Sequence, residues 1–284
     1  MGYGWVNQTL ARSAHFISIM DILTILGIII GVGAIVIGNS MEGGTVSFLL
    51  QPVPLFIVVG GTVGAAMVQS CTSSFKSALA MLPWVFFRHR AACEISLVDV
   101  MEWNRVLRDK GVIAFEQYAE NIRDPFVKRA VTLMADGQSA EKIESTLEIE
   151  LEEIHHDEML AVQVYESMGG YSPTVGLIGA ILGLIQVMQN ITNPEHLGQG
   201  ISIAFVATIY GLLMANMVFI PLAKKLEMLV NLRARHHEMI TAAIVALSRR
   251  ENPQQITSRL EAYLSHMVNP RYSLTDTKPS GKKK

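Results

Sequence analysis

Lysine and arginine are missing from two long stretches of this 284-residue chain. Neither residue occurs from Ser13 to Phe75 or from Ile143 to Ala223. A basic side chain at the centre of a bilayer costs at least about 2.5 kcal/mol, whereas a soluble fold has no comparable reason to exclude bases over such lengths. The two stretches therefore predict a membrane protein rather than a soluble one with buried helices.

The distribution of all charges supports this prediction. Residues 70–166 carry 27 of the 48 charged side chains, residues 224–284 carry 17, and the other 126 residues carry four. A chain that is 50% apolar and 17% charged, against about 25% in soluble proteins, is unlike disordered or nucleic-acid-binding proteins. Its two cysteines are too few for a disulfide framework or a four-ligand zinc site.

Four apolar segments are candidates for crossing the bilayer. They are residues 22–38, 54–69, 168–189 and 201–223. About 20 apolar residues span the hydrocarbon core, so the first two helices are short and the last two are long. We expect an all-α integral membrane protein with four transmembrane helices and a helical cytoplasmic domain.

The positive-inside rule orients these helices. The short loops 39–53 and 190–200 hold no base, whereas the segments after the second and fourth spans begin with several. Both termini are therefore predicted to be cytoplasmic. The predicted divisions are an extension at 1–19, transmembrane helices at 20–69, a cytoplasmic domain at 70–166, transmembrane helices at 167–223 and a basic tail at 224–284.

Helical signals recur in the cytoplasmic parts. Ser96 and Asp99 have the spacing of a capping box. Apolar residues recur at helical spacing from Ile143 to Ile154, which predicts a helix that continues into the third span.

The two cytoplasmic parts have opposite net charges. Segment 70–166 has 10 basic and 17 acidic residues, and the tail 224–284 has 12 basic and 5 acidic ones. We expect these parts to pack on one another, and the terminal lysines 282–284 to contact anionic membrane lipid.

The third and fourth spans contain no Asp, Glu, Lys, Arg or His. Ionisable residues inside a membrane usually mark ion or proton pathways. If this chain conducts ions, a partner must supply the titrating group. The sequence shows no cofactor motif and nothing that indicates an enzyme. The His155-His156 and His236-His237 pairs are interpreted as solvated helix surface rather than metal ligands, because adjacent helical residues point in different directions.

Small and polar residues are the remaining features of the spans. Glycines recur four residues apart, which predicts close helix packing within the chain or between subunits. These pairs are Gly27/Gly31, Gly60/Gly64 and Gly179/Gly183. Thr208 and Tyr210 are polar groups within the fourth span and are candidates for an ion pathway. Hydrogen bonding to a neighbouring backbone explains their presence equally well.

Two prolines lie near the cytoplasmic ends of the long spans. Pro173 is near the start of the third span and Pro221 near the end of the fourth. Proline removes a helical hydrogen bond and bends the helix, so the pair could form a hinge layer. The common occurrence of proline near helix ends explains their positions equally well.

Several motifs resemble the flagellar stator A subunit, the MotA/PomA family. The stretches YSPTVGLIGAILGL at 171–184, AFVATIYG at 204–211 and FIPL at 219–222 resemble its paired long helices. Residues 20–23, 60–62, 108–116 and 136–141 also match. The resemblance extends from residue 20 to the 260s, in order and spacing.

The resemblance implies a function. Family members form a ring of five A subunits around two B subunits of the MotB/PomB type in the inner membrane, and an Asp of each B subunit carries the ion. Ion flow is thought to rotate the ring against the rotor switch protein FliG. Pro173 and Pro221 match functional prolines of the family, and Arg108 and Glu116 match its rotor-contacting pair. Without the resemblance, favourable placement at helix ends is the simpler explanation for Arg108 and Glu116.

The transported ion is predicted from one position. Sodium-driven members tend to carry Thr where this chain has Ala180, and Na⁺ requires oxygen ligands, while Thr208 occurs in both types. We therefore expect a proton-driven stator, with a sodium-driven one as the alternative. A further alternative is a proton-channel subunit of the ExbB/TolQ type, whose three spans and external N-terminus agree less well with four spans.

Overall fold

The computed structural model describes residues 22–44, 50–86, 97–119, 122, 124–189 and 194–268. All secondary-structure elements within these ranges are helices. Predictions for the extension at 1–19, the capping residue Ser96 and the lysines 282–284 fall outside the described residues. The backbone of Glu116 is described but its side chain is not.

The described residues form nine α-helices and one π-helical segment. Before the longest helix they are α1 Ile22–Met41, α2 Pro52–Gln69, α3 Thr72–Phe86, α4 Leu97–Ala119 and α5 Pro125–Ala135. After them come α6 Ala140–Gln189, α7 Pro194–Leu213, a π-helical segment Met214–Phe219, α8 Ile220–Ser248 and α9 Pro253–Val268. The prediction of an all-α protein is confirmed.

Three helical stretches in the described residues are long and apolar enough to cross a membrane. They are Pro52–Gln69, Ala140–Gln189 and Gly200–Ser248, and they contain the predicted second, third and fourth spans. The apolar part of α1, Leu26–Met41, is shorter. This agrees with the expectation that the first helix is near the lower length limit.

The helix α6 is continuous over 50 residues. At 1.5 Å per residue it is about 75 Å long, far more than a bilayer requires. The predicted continuation of the cytoplasmic helix into the third span is thus confirmed. The α7, π-helical and α8 segments likewise follow one another without a break from Pro194 to Ser248.

The chain divides into two compact units. The first comprises Met1–Ala91 and His156–Val230, and the second Ala92–His155 and Asn231–Lys284. The first unit contains a core between α2, α3, α6 and α8. Its buried residues are Ala66, Ala78, Met81, Val85, Ala161, Val162, Val164, Tyr165, Met168, Ala223, Leu226 and Val230.

The second unit has its own core, to which both charged segments contribute. Trp103, Phe115 and Phe126 from the acidic segment pack with Ile244 and Leu260 from the basic tail. The predicted packing of these segments is therefore observed. Glu141 and Glu144 also lie 3.4 Å from Arg249, but ion pairs this exposed contribute little, so apolar burial holds the unit together.

Candidate functional site

The helices α6 and α7 cross with their backbones in contact. A Cβ atom built on Gly176 would lie 2.9 Å from the Ala207 carbonyl oxygen and 3.0 Å from the Gly211 Cα. One built on Gly183 would lie 3.1 Å from the Ala204 backbone nitrogen. Only glycine permits such an approach, because any side chain would push the helices apart.

The predicted glycine pairs differ in their packing. Gly179 and Gly183 do line this crossing, within one chain. No atom of the described chain lies within 4 Å of a Cβ built on Gly27, Gly60 or Gly64. The prediction was close packing either within the chain or between subunits. For these three glycines, contact between subunits stays a prediction.

Pro173 lies at the crossing of α6 and α7. Its Cα is 3.3 Å from a Cβ atom built on Gly211, and the carbonyl oxygen of Ser172 is 2.7 Å from the same point. Pro173 cannot donate a backbone hydrogen bond to Gly169, one turn earlier in α6. The proline therefore weakens the helix next to its tightest contact with α7.

Pro221 lies two residues after the end of the π-helical segment. The last bond of that segment joins the Ile220 amide to the Ala215 carbonyl oxygen, five residues back. A π-helical turn before a proline is a recognised way to bend a helix. Gly176 faces Gly211 and Gly169 faces Ile220, so Pro173 is level with the start of this segment and Pro221 lies beyond its end, about two turns away.

Ala180 and Thr208 lie at the same level of the crossing. Gly179 contacts Ala207 across the crossing. Ala180 is the residue after Gly179, and Thr208 is the residue after Ala207. Ala180 is buried and offers no oxygen ligand. The Thr208 hydroxyl donates to the Ala204 carbonyl oxygen at 3.3 Å, so it has the backbone partner that was one of the two explanations for it.

Tyr210 joins α7 to the start of α2. Its hydroxyl oxygen accepts a hydrogen bond from the Gln51 backbone amide at 3.1 Å. Gln51 precedes the first helical residue of α2, where backbone amides have no partner within the helix. The Gln51 side chain also donates to the Ser202 hydroxyl at 3.3 Å. Tyr210 thus has a structural role at this end of the first unit.

Arg108 and Glu116 lie in the second unit, on either side of a break in α4. Gly111 interrupts the helix with φ 80° and ψ −177°, which places Arg108 near one helix end and Glu116 in the helix that follows. This agrees with the predicted helix-end positions. The Arg108 guanidinium donates to the backbone carbonyl oxygen of Glu251 at 3.0 Å.

The interpretation of His236 and His237 as solvated surface is wrong, because both are buried in the core of the second unit. The His237 ring stacks on Phe126 with centroids 4.3 Å apart, and its Nε2 donates to Asp124 at 3.3 Å. Burial lowers the pKa of His236 to about 4, and the nearby charge of His237 adds to this effect. Both histidines are structural elements of this core.

Asp124 connects this histidine to the start of α5. Its second carboxylate oxygen accepts from the Phe126 amide at 2.9 Å and so caps the helix. Burial opposes its ionisation, but hydrogen bonding to His237 and the charges of His237 and Arg233 outweigh it and hold the pKa of Asp124 below its usual value. The dipeptide Asp124-Pro125 is a cap signal that could have been found in the sequence.

The candidate residues therefore occur as two groups, one in each unit. Pro173, Ala180, Thr208 and Tyr210 belong to the helix pair of the first unit, with Pro221 just beyond it. Arg108 and Glu116 flank the α4 break in the second. Among the described residues, no group of three or more His, Cys, Asp or Glu side chains could hold a metal ion.

Comparisons with known proteins agree with these features. Residues 118–239 match the MotA/TolQ/ExbB proton channel family, and residues 25–105 match the N-terminal region of motility protein A. The chain is 27% identical to motility protein A of Bacillus subtilis strain 168, over 93% of this chain and 98% of that one. It is 30% identical to the uncharacterized protein YtxD of the same strain, over 86% and 91%.

A solved structure of C. jejuni MotAB matches with a TM-score of 0.79 and 30% identity. The match covers 90% of this chain and 100% of that one. Fold and sequence together define a multi-pass helical protein of the inner membrane. The chain belongs to the MotA/TolQ/ExbB proton channel family, and the match of its N-terminal part favours the motility proteins over the TolQ/ExbB type.

Proposed function

We propose that this chain is a flagellar stator subunit. With a single-span B subunit of the MotB/PomB type it forms a proton channel and converts ion flow into torque on the rotor. One observation carries the proposal: in a chain that matches a MotAB structure over 90% of its length, residues 168–189 and 201–223 contain no Asp, Glu, Lys, Arg or His. An ion pathway along them needs a carboxylate from another chain.

The assembly expected from this proposal is a ring of five copies around two B subunits. Large apolar side chains of α1 and α2 are exposed in the single chain, among them Ile29, Phe56 and Val68. Within a membrane such side chains can face lipid or neighbouring subunits, and the open glycines Gly60 and Gly64 allow close approach. Native mass spectrometry of the purified complex tests the 5:2 ratio.

Arg108 and Glu116 are proposed to engage the rotor switch protein FliG from the cytoplasmic side. Support comes from their positions beside the Gly111 break and from the distribution of basic residues, which favours a cytoplasmic location for both termini and for residues 70–166. An Arg108→Glu variant should impair rotation, and a reversed charge on the rotor should partly restore it.

The proposed ion is H⁺. Support comes from Ala180, which is buried at the helix crossing and has no oxygen with which to bind Na⁺. A sodium-driven stator is the alternative, and an Ala180→Thr substitution alone need not change the ion.

Co-purification with genetic complementation tests the proposed function. The full-length chain, tagged and expressed in its own host, should bring down a single-span protein that carries a membrane-embedded Asp. Deletion of the gene should leave filaments that do not rotate, and substitution of that Asp by Asn should do the same. Normal rotation after deletion in a host without a second stator would contradict the proposal.

A further inference from the structure

The first helix, α1, makes two contacts with the helical stretch that contains Pro221. A Cβ atom built on Gly31 would overlap the terminal methyl group of Met217, a residue of the π-helical segment, so these two residues touch. Seven residues earlier in α1, the Thr24 hydroxyl accepts a hydrogen bond from the Lys225 ammonium group of α8. Because Pro221 lies between Met217 and Lys225, α1 contacts the chain on both sides of this proline.

The contact at Gly31 supports an irregular part of the helix. The Met217 sulfur lies 3.7 Å from the Cβ atom built on Gly31, so the methionine side chain rests on the α1 backbone. Methionine is unbranched and flexible, and it can keep such a contact while its helix changes shape. π-helical turns are uncommon and occur frequently at functional sites.

The contact at Thr24 joins two polar groups in apolar surroundings. Thr24 is the one polar side chain in residues 22–38, and Lys224 and Lys225 are the first charged residues after the fourth span. Thr24 and Lys225 are both half-buried. Hydrogen bonds from a charged donor are stronger than neutral ones, and a low local dielectric strengthens them further. This bond is therefore a firm attachment between α1 and the start of α8.

The adjacent lysine has different partners. The Lys224 ammonium group lies 2.9 Å from the Glu166 carboxylate and 3.0 Å from that of Glu227, and its side chain is 62% exposed. Ion pairs this exposed contribute little to stability. Two neighbouring lysines thus carry the same charge at nearly the same depth, but only Lys225 contacts Thr24 of α1.

We propose that α1 is a brace for the bend at Pro221, with Thr24 and Lys225 as positioning residues for torque generation. A π-helical segment shortly before a proline allows a helix to bend, and contacts on both sides of the proline limit that bend. The stretch from Thr24 to Gly31 is about 10 Å of regular helix, which fixes the separation of the two contacts. The inference rests on the proposed function, because it gives these residues a part in converting ion flow into torque.

Substitution of Thr24 tests the brace without a change of charge. Thr24→Val removes the hydroxyl group and should slow the rotation of tethered cells about threefold or more, while the membrane level of the protein stays normal. A hydrogen bond to a charged group shifts a two-state equilibrium by at least this factor. Thr24→Ser keeps the hydroxyl group and should retain normal rotation.

The lysine side of the contact is tested by a double substitution. Lys225→Met should slow rotation at least as much as Thr24→Val. The variant with both substitutions should rotate no more slowly than Lys225→Met alone, because the two residues act through one contact. Lys224→Met is the matched control: it removes the same charge from the neighbouring residue and should leave rotation unchanged.

The second contact is tested at Gly31. Gly31→Ala displaces the flexible end of the Met217 side chain, so it should slow rotation with little loss of protein from the membrane.

The inference is overturned if Thr24→Val rotates normally, or if its lower speed only reflects a lower membrane level. It is also overturned if Lys224→Met slows rotation as much as Lys225→Met, or if the effects of Thr24→Val and Lys225→Met add. Each of these results leaves the proposed function intact as long as deletion of the gene still stops rotation.

Discussion

Asp124 and His237 lie 3.3 Å apart and join the start of α5 to the middle of α8. The same carboxylate caps α5 through the Phe126 amide, and Phe126 in turn stacks on His237. Three contacts thus close one small network in the core of the second unit. Because the His237 side chain is only 1% exposed, removal of the Asp124 carboxylate would leave a buried ring nitrogen without its partner.

Removing the Asp124 carboxylate should destabilise the second unit. Asp124→Ala removes the helix cap and leaves His237 without its acceptor. The free energy of unfolding should therefore decrease by about 2–4 kcal/mol. Asp124→Asn keeps an oxygen that can cap the helix and should lose about half as much. Thermal unfolding of the purified complex gives the two values, and equal losses would show that the cap contributes nothing.

His236 should make the second unit sensitive to acid. Its pKa is about 4 in the folded chain and 6.5 without burial, so the unfolded chain binds the extra proton first as the pH falls. Its contribution to stability is complete above pH 6.5 and decreases progressively between pH 6.5 and 4, by about 3 kcal/mol in total.

A His236→Leu variant has no such titrating group and should lose less stability over the same interval. Melting temperatures at pH 7.5 and pH 5 for both proteins provide the measurement. The lowered pKa of Asp124 affects stability only at still lower pH, below the usual carboxyl pKa near 3.8, so the two effects are separable. Parallel decreases in the two proteins would refute the role of His236.

The crossing of α6 and α7 should not tolerate a side chain at Gly211. A methyl group there would approach the Ser172 carbonyl oxygen to 2.7 Å, which forces the helices apart. We expect Gly211→Ala to reduce the amount of assembled complex in the membrane and to cost about 1–3 kcal/mol. Gly170→Ala on α6 is the matched control, since a Cβ atom there meets no neighbour within 4 Å of the described chain. Equal yields of the two variants would contradict the proposed packing.

The two prolines should be needed for rotation rather than for assembly. One charge crossing 100 mV provides about 2.3 kcal/mol, which is enough to bias a bend but not to unfold packed helices. The double substitution Pro173→Ala and Pro221→Ala straightens both helices and should stop rotation while the membrane level of the complex stays normal. Rotation of tethered cells and immunoblots of membranes are the two measurements, and normal rotation would exclude a hinge role.

The ion prediction is checked in sodium-free medium. A stator driven by H⁺ should keep its rotation speed there when the proton gradient is maintained, and a protonophore should stop it. Loss of rotation on removal of Na⁺ alone would overturn the assignment made from Ala180.

Much of the fold follows from where charge is absent. The two base-free stretches located the spans, and the spacing from Ile143 to Ile154 predicted a helix that runs into the third span. These features are local, because the composition of a segment indicates whether lipid or water surrounds it. The family match is also in agreement with the motifs quoted from both long spans.

Other features depend on which neighbour covers a given surface, and sequence spacing does not contain that information. The His236-His237 pair was misassigned because nothing local shows that α5 covers that face of α8. The π-helical segment and the contact of Gly176 with Gly211 arise from the register of two antiparallel helices. The positive φ at Arg250, just after the end of α8, has no signal in its own residue type.

The uninterrupted length of α6 restricts how this chain can vary. Gly176 and Gly183 lie seven residues apart in this helix, and both face α7. Seven residues complete about two turns, whereas one residue inserted between the two glycines rotates everything beyond it by about 100°. The number of residues between Gly176 and Gly183 is therefore as constrained as their identities, and a single insertion between them should turn one of the two glycines away from α7.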